Sequence, residues 1–150
     1  MQRNKTRAVA ENFAWVHSID RLKIAERLAA QRPAGLPPLN VCLQVNVSGE
    51  ASKSGCAPSE APALAAAIAH LPGLRLRGLM TIPEPTDDAT LQRRRFASLR
   101  ETLASISAQT GSRLDTLSMG MSDDLEAAIM EGASIVRIGT AIFGQRNYTT

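Results

Sequence analysis

The stretch TLSMGMSDDLEAAIMEGASIVRIGTAIF, residues 116–143, decides the fold class of this chain of 150 residues. It opens with a short apolar strand that runs into a glycine-containing turn, and a helix begins immediately after Ser122. Ser122 has a side chain suited to capping that helix, and Gly132 offers the left-handed residue that commonly ends one. A second strand, residues 135–138, then runs into another glycine-containing turn. The pattern predicts two consecutive units of strand, turn and helix.

The two turns of this stretch are expected to place backbone amides at the ends of neighbouring strands. The first turn contains Met121 and Ser122, and the second contains Gly139 and Thr140. In (β/α)8 barrels, the loops after the seventh and eighth strands frequently form a phosphate site. The structural alternative is two ordinary turns that need glycine for backbone geometry and serine for capping. The pair of turns is therefore a candidate anion site, with phosphate as the expected ligand.

The composition is that of a single folded domain with a mild positive charge. Hydrophobic residues make up 44% of the chain, yet no apolar run approaches the roughly 20 residues that span a bilayer. The charged N-terminus lacks the apolar segment of a secretory signal, and the two cysteines fit no metal-ligand spacing. The net charge of +3 and an aromatic content of 3% disfavour a nucleic-acid module. We expect a cytoplasmic protein with no membrane partner and no metal.

Strands and helices alternate along the rest of the chain. In LNVCLQVNV, residues 39–47, Cys42, Gln44 and Asn46 alternate with apolar residues, which predicts one polar interior face and one face under helices. The remaining strands are predicted at 13–19, 74–80 and 114–118, and helices at 4–12, 21–31, 61–71 and 87–109. This alternation indicates parallel strands joined by right-handed crossovers. The absence of G-x-G-x-x-G after the first strand disfavours a dinucleotide-binding sheet.

Seven short motifs lie in order along the whole chain: NKTR at 4–7, HSID at 17–20, QVN at 44–46, SKSG at 52–55, RGLM at 77–80, GMSDDLEAAI at 120–129 and VRIGTAIFG at 136–144. Together they closely resemble the pyridoxal phosphate homeostasis proteins, also called the YggS/PROSC group. The resemblance implies an α/β fold, a (β/α)8 TIM barrel of the alanine racemase N-terminal type that binds pyridoxal 5′-phosphate. By the same resemblance, this chain forms one incomplete barrel domain over residues 1–150, with about strands four to eight.

The resemblance also implies that the chain lacks the N-terminal third of the family barrel. In the family, that third includes the lysine that forms a Schiff base with the cofactor, and Lys5, Lys23 and Lys53 do not match its position. We therefore expect noncovalent binding of the cofactor and a noncatalytic role in cofactor homeostasis and amino-acid balance. An incomplete barrel would leave open sheet edges at 13–19 and 135–138, where self-association is expected.

By resemblance, the cofactor's phosphate would lie between the two turns of the closing stretch. Backbone amides would bind it, with the hydroxyls of Ser122 and Thr140 as additional donors. A phosphorylated small molecule other than pyridoxal phosphate would fit the same description. Asp123 and Asp124 are predicted to have a structural role in the first helical turn, where they favour the helix dipole while their side chains point outward.

Four further residues have both a ligand role and a structural alternative. Arg137 would lie by the pyridine nitrogen of the cofactor, unless strand alternation directs its side chain outward. Met80 would line the ring pocket or belong to the core. Asn46 would face the interior and bind ligand, or be an interior amide with protein partners. Lys53 would meet a phosphate or an aldehyde, or lie free on the surface.

Two other functions stay open on the sequence alone. The chain could be part of a phosphate-handling or racemase-like barrel enzyme that another polypeptide completes. It could instead be a remnant that binds no ligand and serves as a structural or interaction domain. Binding of pyridoxal phosphate separates these hypotheses, because only the remnant would show no response to it.

Overall fold

The computed structural model describes residues 1–49 and 54–144. Its four strands are β1 Trp15–Ile19, β2 Leu39–Gln44, β3 Leu74–Met80 and β4 Thr116–Ser118. A short 3-10 helix, Arg3–Lys5, precedes six α-helices: α1 Thr6–Asn12, α2 Leu22–Gln31, α3 Ala61–Ala69, α4 Ala89–Thr110, α5 Leu125–Met130 and α6 Thr140–Phe143. Strands and helices therefore alternate as the sequence predicts.

The four strands form one parallel sheet whose spatial order, β1-β2-β3-β4, is the order of the chain. A doubly wound sheet reverses its strand order at a switch point, whereas a barrel adds each strand beside the one before it. The observed order is that of a barrel segment, which confirms the predicted fold class. Among the described strands, β1 pairs with β2 alone, and self-association through such an edge stays a prediction.

The predicted fifth strand, residues 135–138, is not formed as a strand. It is reduced to a single bridge between Ile135 and Ser118. The backbone N–H of Met119 donates to the carbonyl of Ile135 at 3.0 Å, and that of Arg137 donates to the carbonyl of Gly120 at 2.9 Å. Because β4 has only three residues, the segment pairs mainly with the turn after β4 rather than with a strand. This prediction was wrong in element type, although the segment lies beside β4.

The two faces of the sheet differ as the alternation in β2 predicts. Val41 and Leu43 are fully buried and belong to the apolar core that the strands share with the helices, together with Ile24, Leu28, Ile68, Phe96 and Leu99. Cys42 and Gln44 are buried on the opposite face. On that face the β3 backbone approaches β4 closely at Gly78, where a Cβ atom would lie 1.8 Å from the carbonyl oxygen of Thr116.

A polar cluster closes the amino ends of the strands. Arg77 donates two hydrogen bonds to the carboxylate of Asp115, at 3.1 and 2.8 Å, and a third to Oδ1 of Asn40 at 3.1 Å. The Arg77 guanidinium carbon lies 4.6 Å from the ring centroid of Trp15, which is a cation–π distance. One arginine thus joins residues of β1 and β2 and the start of β4. In a barrel, this end contributes stability, whereas the opposite end holds ligands.

The ends of the helices show which capping predictions hold. Gly132, with φ of 90°, lies just beyond α5, and Gly111, with φ of 66°, ends α4, as left-handed residues at helix ends commonly do. Ser122 does not cap α5, whose N-cap position is Asp124. No helix in the described part of the chain combines the length and apolar character that crossing a lipid bilayer would require.

Candidate functional site

Arg137 extends across the carboxyl ends of two strands. Its Nη1 donates to Oγ of Ser118 at 2.6 Å, and its Nη2 donates to the carbonyl of Thr81 at 2.9 Å. Ser118 ends β4 and Thr81 directly follows β3, so the side chain points across the strand ends and not outward to solvent. Burial lowers the pKa of Arg137, and the carboxylate of Asp124 partly opposes this. An arginine nevertheless stays charged in proteins, so a fixed cation lies at this end of the sheet.

A hydrogen-bonded network connects Arg137 to all four strands. Oγ of Ser118 lies 2.8 Å from Nδ1 of His17 in β1, and Oγ1 of Thr81 donates to the carbonyl of Val45, which follows β2, at 2.7 Å. Burial and the charge of Arg137 lower the pKa of His17, which favours the neutral ring. Because Ser118 accepts from Arg137, its own hydroxyl hydrogen is free to go to Nδ1 of a neutral His17. The network fixes the guanidinium in place.

The two glycine-containing turns meet. The backbone N–H of Ala141, one residue after Thr140, donates to Oγ of Ser122 at 3.1 Å. The first turn depends on Gly120, which has φ of 97° and leaves no room for a side chain, since a Cβ there would lie 2.5 Å from Cβ of Ala128. The hydroxyl of Ser122 therefore bridges the turns instead of capping its own helix.

Several amides of these turns donate to no acceptor in the described part of the chain. Within residues 1–49 and 54–144, no hydrogen bond uses the backbone N–H of Ser122, Gly139 or Thr140. The N–H of Met121 differs, because it donates to Oδ1 of Asp124 at 2.6 Å. Asp124 is half-buried and turned back onto the first turn, so the prediction that its side chain points outward was wrong. Asp123 is exposed, as predicted.

The other predicted ligand residues are placed as follows. Met80 is buried at the carboxyl end of β3, in register with Ser118 of β4. Asn46 is half-buried, and its Oδ1 accepts the backbone N–H of Ser48 at 3.1 Å, so that oxygen shapes the local turn. Lys53 lies outside the described residues. The turn residues thus come together with Arg137 and Met80 at one end of the sheet, and Asn46 follows the neighbouring strand.

A cavity of about 280 Å³ adjoins the first turn. It lies between the loop after β3 and the start of α5, and its lining includes Ile82, Glu84, Met121 and Asp124. Ile82 and Met121 are both substantially exposed, at 46% and 43% of their surface. The carboxyl end of the sheet therefore offers a concave space next to the first turn, lined by both apolar and polar side chains.

The described residues include neither a reactive thiolate nor a metal-binding cluster. Burial raises the pKa of the Cys42 thiol to about 12 and that of Cys56 to about 11. Both thiols are therefore protonated at neutral pH, whereas the thiolate is the nucleophilic form. No three His, Cys, Asp or Glu side chains in the described ranges are grouped so that they could hold a metal ion.

The geometry defines a parallel barrel-type α/β protein with a fixed cation and several unused backbone amides at the carboxyl ends of its strands. Comparison with known protein families identifies the family to which the chain belongs. The model of the family described as alanine racemase, N-terminal domain, matches residues 1–147. This chain belongs to that family.

The sequence relatives and the similar solved structures match this chain over most of its length. The pyridoxal phosphate homeostasis protein of Pseudomonas aeruginosa is 70% identical over 148 residues, which are 99% of this chain and 63% of the relative. The structure of PipY from Synechococcus elongatus with PLP bound is 34% identical, with a TM-score of 0.85, over 96% of this chain and 67% of that one. An alanine racemase from Corynebacterium glutamicum, 18% identical with a TM-score of 0.72 over 97% of this chain and 40% of that one, shares the fold. The chain thus spans 63% of the length of the curated relative from Pseudomonas aeruginosa and of that from Vibrio cholerae.

Proposed function

We propose that this chain binds pyridoxal 5′-phosphate at the carboxyl ends of its strands and takes part in cofactor homeostasis and amino-acid balance. The observation that carries the proposal is the contact between the two closing turns, Ala141 N–H to Ser122 Oγ at 3.1 Å, beside the fixed charge of Arg137. The names of the curated relatives and the PLP bound to PipY support the same ligand.

The donors at this end of the sheet suit a phosphorylated pyridine. The amides of Ser122, Gly139 and Thr140, which bind no other described residue, would hold the phosphate, because a dianion gains most from such unused donors. Arg137 would lie by the pyridine nitrogen and, being permanently charged, would keep that nitrogen without a proton. Met80 would contact the ring. When bound, the cofactor itself supplies an electron-withdrawing ring and an aldehyde.

A carrying or buffering role fits these residues better than turnover does. Lys5 and Lys23, the lysines of the described ranges, are exposed and lie on the 3-10 helix and on α2. The cysteine thiols are protonated at neutral pH, and Nδ1 of His17 is taken up by Ser118. A cofactor held by hydrogen bonds and charge alone exchanges readily, which suits a protein that stores and releases it.

Titration of the 150-residue chain with pyridoxal 5′-phosphate tests the proposal. The chain has one tryptophan, Trp15, whose ring centroid lies 5.8 Å from that of His17, so its fluorescence reports on the network that holds Arg137. We expect saturable binding that Arg137→Ala weakens at least about tenfold, since a charge-assisted contact is lost. The affinity of Arg137→Lys should lie between those of the unmodified chain and Arg137→Ala, because an ammonium group cannot donate to Ser118 and Thr81 with the forked geometry of a guanidinium.

Arg94→Ala is the matched control, since Arg94 is exposed on α4 and makes no ion pair with another described residue. Its affinity should equal that of the unmodified chain, and thermal melts should establish that each variant is folded. Borohydride treatment should leave the mass of the chain unchanged. Folded protein with no response to the cofactor would favour the nonbinding remnant, and stoichiometric reduction onto a lysine would contradict the noncovalent mode.

A further inference from the structure

The carboxylate of Asp124 is bound to the turn that the proposed site uses. Its Oδ1 accepts the N–H of Met121 at 2.6 Å, and the side chain is half-buried. Three neighbouring amides, of Ser122, Gly139 and Thr140, have no partner among the described residues. A negative charge of the protein itself therefore satisfies one donor of the first turn, next to amides of both turns that donate to no described residue.

Asp124 also interacts with the cation of the same site. The charge of its carboxylate partly offsets the lowering of the Arg137 pKa by burial. An incoming phosphate on the amides of Ser122, Gly139 and Thr140 would bring a second negative charge close to this carboxylate, which is held on the adjacent amide of Met121. Two negative charges held close together disfavour each other.

We propose that Asp124 is an internal competitor for the ligand's phosphate and thereby sets a moderate affinity and a fast release. This inference rests on the proposed function, because it concerns how tightly the same site holds its ligand. A protein that stores a cofactor must also give it up, and an anion fixed in the first turn shortens the lifetime of the bound state.

A purely structural role for Asp124 makes the opposite prediction. An acidic residue three positions after a turn residue, bonded back to that residue's N–H, is a known way of fixing the start of a helix. In Asp124→Asn the amide oxygen can still accept the N–H of Met121, so the turn is preserved while the charge is removed. If Asp124 only shapes the turn, the variant binds ligand equally well or more weakly. If Asp124 competes with phosphate, the variant binds more tightly.

The experiment measures the affinity and release rate of pyridoxal 5′-phosphate with the 150-residue chain, with Asp124→Asn and with Asp123→Asn. Asp123 is the matched control, because it is the neighbouring acidic residue and its side chain is exposed. We expect Asp124→Asn to bind about tenfold more tightly, the effect of about 1.4 kcal/mol, mainly through slower release. Asp123→Asn should stay within about twofold of the unmodified chain, as expected for a screened surface charge. Pyridoxal, which lacks the phosphate, should bind all three proteins equally.

Three results overturn the inference. The first is an affinity of Asp124→Asn that equals or falls below that of the unmodified chain. The second is an equal gain in Asp123→Asn, which would reflect net charge alone, and the third is an equal gain for pyridoxal. If the unmodified chain binds pyridoxal phosphate, these results leave the proposed function standing. If none of the three folded proteins binds it, both the proposed function and the inference fail.

Discussion

Arg137 acquires its position from residues that are far apart in the sequence. Its contacts are Thr81 and Ser118, and Ser118 in turn contacts His17, which lies 101 positions earlier. Strand alternation alone left two directions open for the Arg137 side chain. The serine and threonine that fix the direction are common residue types with no distinguishing pattern of their own. The only sequence signal for them was their place at the ends of predicted strands, where ligand-binding residues of barrels are found.

We expect the carboxylate of Glu131 to make the stability of the fold depend on pH. Its side chain is 6% exposed and accepts from Arg93 at 2.8 Å and from Arg100 of the same helix, α4. The hydrogen bond from Arg93, with the charge of Arg100, lowers the pKa of Glu131 below its ordinary value. A carboxyl group with a lowered pKa in the folded state stabilises the fold above its unfolded pKa of about 4.3, and this stability is lost as the pH falls through the folded value.

We therefore expect Glu131→Gln to lower the free energy of unfolding at pH 7 and to flatten its decline in acid. Urea unfolding from pH 7 down to pH 3 is the measurement. Glu101→Gln is the control, because Glu101 is 72% exposed and lies 3.8 Å from Arg100, so its loss should change neither quantity appreciably. Parallel acid curves for Glu131→Gln and the unmodified chain would show that this carboxylate does not contribute to acid sensitivity.

At the scale of elements, the long helix α4 has its ends fixed by local chemistry. Oδ1 of Asp88 accepts the N–H groups of Thr90 and Leu91 at 2.9 and 3.1 Å, and Gly111 provides the left-handed residue after the last turn. Both features follow from residue type, which is why the sequence predicts this helix to within two residues at its start and one at its end. The start of helix α5 is harder to predict, since Ser122, which precedes the helix and resembles a cap in the sequence, bonds to the neighbouring turn instead of capping α5.

Replacement of Asp88 by alanine should destabilise the chain by about 1 kcal/mol, because two amides at the start of α4 lose their acceptor. Chemical denaturation measures this difference in the free energy of unfolding between the variant and the unmodified chain. Asp87→Ala is a close control, since Asp87 is exposed, adjacent and accepts no hydrogen bond from another described residue. Its effect should stay within about 0.5 kcal/mol. Equal losses in the two variants would mean that the cap contributes nothing beyond general charge.

For the whole molecule, alternation of strands and helices was sufficient to predict a parallel sheet, and the family resemblance implied that this sheet is part of a barrel. The apolar and polar faces of β2 were also predicted, because Val41 and Leu43 alternate with Cys42 and Gln44. The segment 135–138 was mistaken for a strand, since its β-branched residues fit one, whereas pairing depends on the length of β4 beside it. The meeting of the two turns was predicted as a phosphate site, but the bond from Ala141 to Ser122 and the inward turn of Asp124 depend on tertiary packing.

The account depends on one central claim, that the two closing turns form a single binding site for a phosphate. Amide chemical shifts of the 150-residue chain, followed by NMR during titration with pyridoxal 5′-phosphate, test it directly. We predict that the amides of Ser122, Gly139 and Thr140 shift together along one binding curve, and that pyridoxal without its phosphate moves them far less. Shifts confined to one turn, or equal shifts with pyridoxal, would contradict the claim.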